Sequence, residues 1–119
     1  MSYSQPNEHG VYVEEQCAEV IRHTTASGAE ARVCLAHTEN GWASSLCLDY
    51  HEGGQGSLPS INSTLHLTKQ EAIDEQLLQL EAACNEFLAA WHSSDTRKAQ
   101  AGELLDWVAL QKQMDLFDG

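Results

Sequence analysis

The stretch ARVCLAHTENGWASSLCLDYH, residues 31–51, constrains the fold more than any other part of the chain. Apolar and polar residues alternate on both sides of Asn40-Gly41, a dipeptide favoured in two-residue type I′ turns, so the segment reads as a β-hairpin. With Glu39 set opposite Trp42, counting outward pairs Leu35 with Leu46, Val33 with Leu48, Arg32 with Asp49 and Cys34 with Cys47. Apolar residues then meet apolar ones and opposite charges meet, so pattern and turn chemistry agree. The expected core face carries Val33, Leu35, Trp42, Leu46, Leu48 and Tyr50.

An apolar sheet face needs a cover, and the second half of the chain supplies one. HEGGQGSLPS is a loop by composition; its glycines lack the Lys-Ser/Thr that completes a phosphate-binding P-loop. Ile61, Leu65 and Leu67 then alternate as a third strand over 61–67 would. In the Thr68–Glu71 segment TKQE, the hydroxyl can cap the Glu71 N–H while the Glu71 carboxylate reaches back, a capping box that opens a helix over 69–92. Ile73, Leu77, Leu80, Cys84, Phe87 and Trp91 form its stripe. SSDT breaks the helix and starts another over 96–112, with Ala101, Leu104, Leu105 and Val108 inward. VEEQCAEVIRHTTASG fits a helical face and a β-rich strand alike; a helix ending near Gly28 is favoured. The sum is an α+β fold: a short antiparallel sheet covered by helices in one acidic domain over 11–112, with a flexible arm at 1–10 and a tail at 113–119.

No apolar run approaches the roughly 18 residues of a membrane span, and the opening residues lack the basic and apolar regions of a secretory signal. The expectation is a cytoplasmic protein without a membrane partner, with Cys17, Cys34, Cys47 and Cys84 as thiols. Eighteen acids against six bases give −12, which opposes direct binding to nucleic acid and favours a protein partner with a basic surface. Cys34 and His37 fall on opposite faces of a strand, and Cys47 and His51 sit about 13 Å apart at strand rise. With no C-x-x-C or H-x-x-x-H, neither metal nor cofactor is expected. Cys34 and Cys47, if paired across the hairpin, are close enough to be oxidised, which leaves a redox role open. His23, His37, His51 and His66 are possible bases, but no serine or cysteine stands in a nucleophile motif, so the expectation is no enzyme and no catalytic residue.

The outer face of the long helix bears Glu71, Asp74, Glu75, Glu81 and Glu86 with only Lys69 nearby, and the second helix adds Glu103 and Asp106. Carboxylates one helical turn apart lie about 5 to 6 Å from each other, comparable with successive phosphates. Such a face suits a nucleic-acid mimic; a solvated helix face is the commoner explanation of the pattern.

Near the end of the sequence stands QMDLF, residues 113–117. It resembles the short Gln-Leu-x-Leu-Phe peptide with which bacterial replication and repair proteins dock on the DNA-polymerase sliding clamp. The resemblance implies a polar contact from Gln113, an aliphatic place for Met114, a tolerant middle position at Asp115, and anchors at Leu116 and Phe117. Met114 for leucine is the departure, a volume-conserving change. More loosely, NGW, a strand and TKQEAIDEQL over residues 40–80 resemble HicB-like antitoxins and other small phage and plasmid accessory proteins, without the Pro-Asp-rich strand end of the antitoxins. Two readings follow. One is a non-enzymatic interaction protein of a bacterium, phage or plasmid that docks on the sliding clamp. The other is a nucleic-acid-mimicking inhibitor of a DNA- or RNA-binding defence enzyme, of the anti-restriction or anti-CRISPR type, or an antitoxin covering a basic toxin. A rival account of the tail also stands: Trp107, Leu110, Met114 and Phe117 step by three, four and three, as in a helix packing its end into the core.

Overall fold

β-Branched residues at Val20, Ile21, Thr24 and Thr25 are stiff at χ1 and suit a pleated surface, and they decide the ambiguous stretch against a helix. In the computed structural model, which describes residues 3–51, 53–90 and 94–118 with side chains as far as Gln113, it divides into a 3-10 turn at Glu14–Gln16 and strand β1 at Glu19–Thr24. Gly28, with φ +94°, serves the β1–β2 turn rather than a helix end. Thr25 closes that turn, accepting the Ala29 N–H on its hydroxyl at 3.0 Å. β2 (Glu30–Thr38), β3 (Gly41–Tyr50) and β4 (Gly53–Gly56) complete an antiparallel sheet in the order β1-β2-β3-β4. Helices α1 (Lys69–Ala89) and α2 (Asp95–Asp118) follow, so the fold is α+β.

The hairpin forms with a different register. Thr38 pairs with Gly41, His37 with Trp42, Val33 with Leu46 and Arg32 with Cys47, which makes Glu39-Asn40 the two-residue loop. Cys34 faces Ser45 rather than Cys47. The cause is local. The Thr38 hydroxyl accepts the Asn40 N–H at 3.2 Å and donates to the Gly41 carbonyl at 2.9 Å, fixing the turn one residue early. Gly41, at φ +143°, is needed for another reason: a Cβ there would lie 2.7 Å from the His66 carbonyl. A shift of two residues preserves side-chain faces, so Val33, Leu35, Trp42, Leu46, Leu48 and Tyr50 all still face the helices.

Two other segments differ from expectation. The glycine-rich loop contains β4, whose Gly56 lies so close to β3 that a Cβ would stand 2.5 Å from the Cys47 Cα. The expected strand over 61–67 is absent: only single bridges, Val11 to Ser60 and Trp42 to His66, mark it. Serine side chains compete for its backbone, since Ser60 N–H donates to Ser63 Oγ and Asn62 N–H to Ser60 Oγ. Ile61, Leu65 and Leu67 are consequently 63%, 43% and 87% exposed and do not join the core.

Both helices lie on one face of the sheet. Leu77, Leu80 and Cys84 of α1 meet Leu48 and Ala31, and Ala101, Leu104 and Val108 of α2 close the same cluster. Thr68 caps α1 as expected, accepting the Glu71 N–H at 3.1 Å; no return bond from the Glu71 carboxylate occurs among the described contacts. α1 ends at Ala89, and Trp91 of the expected stripe lies outside the described residues. Ser94 caps α2, its hydroxyl accepting the Arg97 N–H at 3.1 Å. Ser94→Ala is expected to cost about 1 kcal/mol, read as a lower urea midpoint at unchanged slope.

The opposite face is covered near one end by the N-terminal segment, with Tyr12 packed on Ala36 and Ala43. Residues of the expected flexible arm take part: Ser4 N–H donates to the His37 carbonyl at 2.8 Å, and the Tyr3 ring stands edge-on to His37. Arg22 and Arg32 lie among Glu14, Glu30 and Asp49 in an ion-pair network.

α2 is docked at its middle by Glu103, which accepts the Ser27 N–H at 3.2 Å and the Ser27 hydroxyl. These bonds, the hydroxyl foremost, hold the Glu103 carboxyl below its usual range. The contribution of a depressed carboxyl is present above its unfolded-state pKa and is lost as pH falls through the folded value. The Ser27 amide resonance should therefore titrate with a midpoint below that of an unstructured glutamate, and Ser27→Ala should raise the Glu103 midpoint.

Candidate functional site

The motif of the closing stretch occupies the end of α2. The backbone of 113–117 is helical, so the helix runs past the expected boundary at 112, through to Asp118. Gln113 is exposed; the side chains of Met114, Leu116 and Phe117 lie outside the described residues. Val108 is the last buried residue described in α2, and Leu110, Lys112 and Gln113 are exposed. Lys112 turns sideways to Glu81, with Nζ 2.6 Å from Oε2, which ties α2 to α1 one residue before Gln113.

The five carboxylates expected on the outer face of α1 do not make one row. Glu75 turns to one side and contacts the ring Nε2 of His66, while Glu81 turns to the other and pairs with Lys112. Asp74 accepts from the Gln70 amide at 2.9 Å. Glu71, Asp74 and Glu86 have no cation among the described contacts, and Leu78, 59% exposed, sits between them on the helix surface. Lys69, the base expected beside them, pairs with Glu19 of β1 at 3.3 Å. Arg22, Arg32, Lys69, Arg97 and Lys112 are all engaged by partners within the domain; Arg97 donates to the His51 carbonyl at 2.9 Å and lies over the Tyr50 ring. The acidic surplus therefore dominates the solvent-facing field.

The cysteines are free thiols. Burial pushes Cys17 and Cys84 up to about 11 and raises Cys34 as well, the reverse of what a nucleophile or a readily oxidised thiol requires. Cys34 and Cys47 are not cross-strand partners, so the pairing expected for oxidation is lost with the register. Among the described residues, no group of three His, Cys, Asp or Glu side chains is placed to hold a metal ion, and no helix is long and apolar enough to cross a membrane.

One feature lies largely outside the expected sites, a polar cleft of about 490 Å³ between β3, the 55–64 segment and α1. Of its lining, only Glu75 belongs to the expected acidic face. The signal was nonetheless in the sequence: Ser44 and Gln76 are polar residues at positions where the strand and helix patterns call for apolar ones, and both are buried. No protein-family model, curated protein or solved structure matches the chain.

Proposed function

We propose that the chain is a non-enzymatic interaction protein that docks on a bacterial sliding clamp through QMDLF, with Gln113 as the polar contact and Met114, Leu116 and Phe117 as the anchors. The exposure of Leu110 carries this reading. The rival account packs Trp107, Leu110, Met114 and Phe117 as one stripe, and that stripe leaves the core at Leu110, 52% exposed, while Trp107 stacks on His23. The buried series Ala101, Leu104 and Val108 continues in the sequence onto Gln111 and Asp115, neither of them apolar. The last turn of a helix has unsatisfied carbonyls and frays at little cost, so a helical backbone is no obstacle to rearrangement on docking. Raised thiol pKa values weigh against a Cys/His enzyme.

The test is affinity for a purified bacterial clamp. Phe117→Ala should weaken binding by at least about 30-fold, the loss typical of a buried aromatic anchor. A wild-type chain that ignores the clamp, or a variant that binds as tightly as wild type, overturns the reading. The second reading, an acidic decoy for a basic nucleic-acid-binding protein, is favoured by the engagement of five of the six bases within the domain. Its partner should hold Phe117→Ala as tightly as wild type and release both as salt rises.

A further inference from the structure

The cleft interrupts the hydrogen bonding of one sheet edge, and the interruption has a definite pattern. In antiparallel pairing, residues alternate between bonding one neighbour and the other. Trp42 exchanges bonds with His66 on the β4 side, at 2.8 and 2.9 Å, so Ser44, Leu46 and Leu48 also direct their N–H and C=O groups to that side. Leu48 pairs with Gln55, and the Leu46 carbonyl accepts from Ser57 at 3.3 Å. The Ser44 N–H, the Ser44 C=O and the Leu46 N–H have no partner among the described contacts, and both residues line the cleft. Beyond Ser57 the chain arches away and returns only at His66, leaving the cleft between.

We propose that this cleft binds a short extended peptide carrying a basic residue, which completes the β3 edge as an added strand. Three groups set the occupant. A residue exchanging both bonds with Ser44, and a carbonyl two residues earlier that accepts from Leu46, satisfy all of them over about 7 Å of antiparallel strand. The paired ends at His66 and Ser57 limit the insert to about this length, so a full strand is excluded. The residue opposite Ser44 places its side chain on the same face as that of Ser44, toward α1. There the Ser44 hydroxyl accepts from the Gln76 amide at 2.9 Å and donates to the Ala72 carbonyl at 3.1 Å, and Glu75, which also contacts the His66 ring, lines the same cleft. No Lys or Arg lines the cleft, and the chain carries −12, so a lysine or arginine side chain fits this position and an acidic one does not. The site is separate from the end of α2 and stands whether or not the chain binds a clamp.

The test uses the full chain, isotope-labelled, titrated with acetyl-Gly-Lys-amide, whose acetyl carbonyl is the acceptor for Leu46, and followed by amide resonances. The Ser44 and Leu46 signals should move saturably, with a dissociation constant on the order of millimolar for so short a probe. N-methylation of the lysine amide, which removes the donor to the Ser44 carbonyl, should weaken binding at least about fivefold. Acetyl-Gly-Glu-amide should bind about tenfold more weakly than the lysine peptide. Gln79→Trp, a change at an exposed position on the cleft wall, should block binding with the rest of the spectrum unchanged. Unmoved Ser44 and Leu46 signals, equal binding of the N-methylated peptide, or equal binding of the acidic one overturns the proposal. The ligand-side changes decide the matter even where the protein variant fails to fold.

Discussion

Truncation after Lys112 is expected to leave the domain folded, with an unfolding free energy within about 0.5 kcal/mol of the full chain, while binding to the clamp disappears. The stability half of this result discriminates because the two accounts of the tail differ widely. If Met114 and Phe117 were core residues, deleting them would remove two large apolar groups, at about 2–5 kcal/mol each, and a domain of this size has only about 5–15 kcal/mol in total. Ending at Lys112 keeps its ion pair with Glu81, so the cut changes nothing the described core uses. Urea unfolding of both chains, followed by circular dichroism, reads the difference directly. A fall of several kcal/mol would restore the packed-helix account and remove the docking peptide.

Leu80→Ala should be the most damaging single substitution in the core, costing about 3–5 kcal/mol and bringing the domain close to unfolding at 37 °C. Leu80 is fully buried where α1, α2 and β3 converge, in the cluster that includes Leu48, Leu77, Cys84, Leu104 and Val108. Three elements hold the walls of the resulting cavity, so little relaxation can fill it, and the cost falls near the top of the usual range. Leu78→Ala, two residues away on the same helix but 59% exposed, provides the control and should change stability by less than about 0.5 kcal/mol. Matching losses in the two variants would mean that α1 is not seated on the sheet as described.

The helices were legible because their apolar spacing has one geometric solution. Ile73, Leu77, Leu80 and Cys84 face the sheet as their spacing required, Thr68 caps α1 as expected, and the cap of α2 falls within SSDT, at Ser94, one residue before the position that a start at 96 implied. The hairpin was legible as to faces and not as to partners: alternation specifies which side a residue takes, and a slip of two residues is invisible to it. The Thr38 hydroxyl decided the slip, a contact three residues long that outweighed the preference of Asn40-Gly41. β4 was missed because glycines carry no alternation, and the 61–67 strand was mistaken because serine bonds to the backbone do not register in an apolar pattern. Of the candidate sites, the acidic face read as one surface from helix spacing alone. Its division came from His66 and Lys112, neighbours in space that no periodicity on α1 could reveal.

β4 consists of four exposed residues, three of them glycine, and contributes no side chain to the described core. Its use is protective. β3 is ten residues long, and without β4 its Cys47–Tyr50 end would be a bare template for another chain. Glycine lets the cover lie close enough to bond without adding apolar surface of its own, and the His66 bridge seals the far end. A backbone strip held by a few hydrogen bonds thus covers the Cys47–Tyr50 part of this edge, and anything that peels the strip away bares backbone groups with which another copy of the chain can pair.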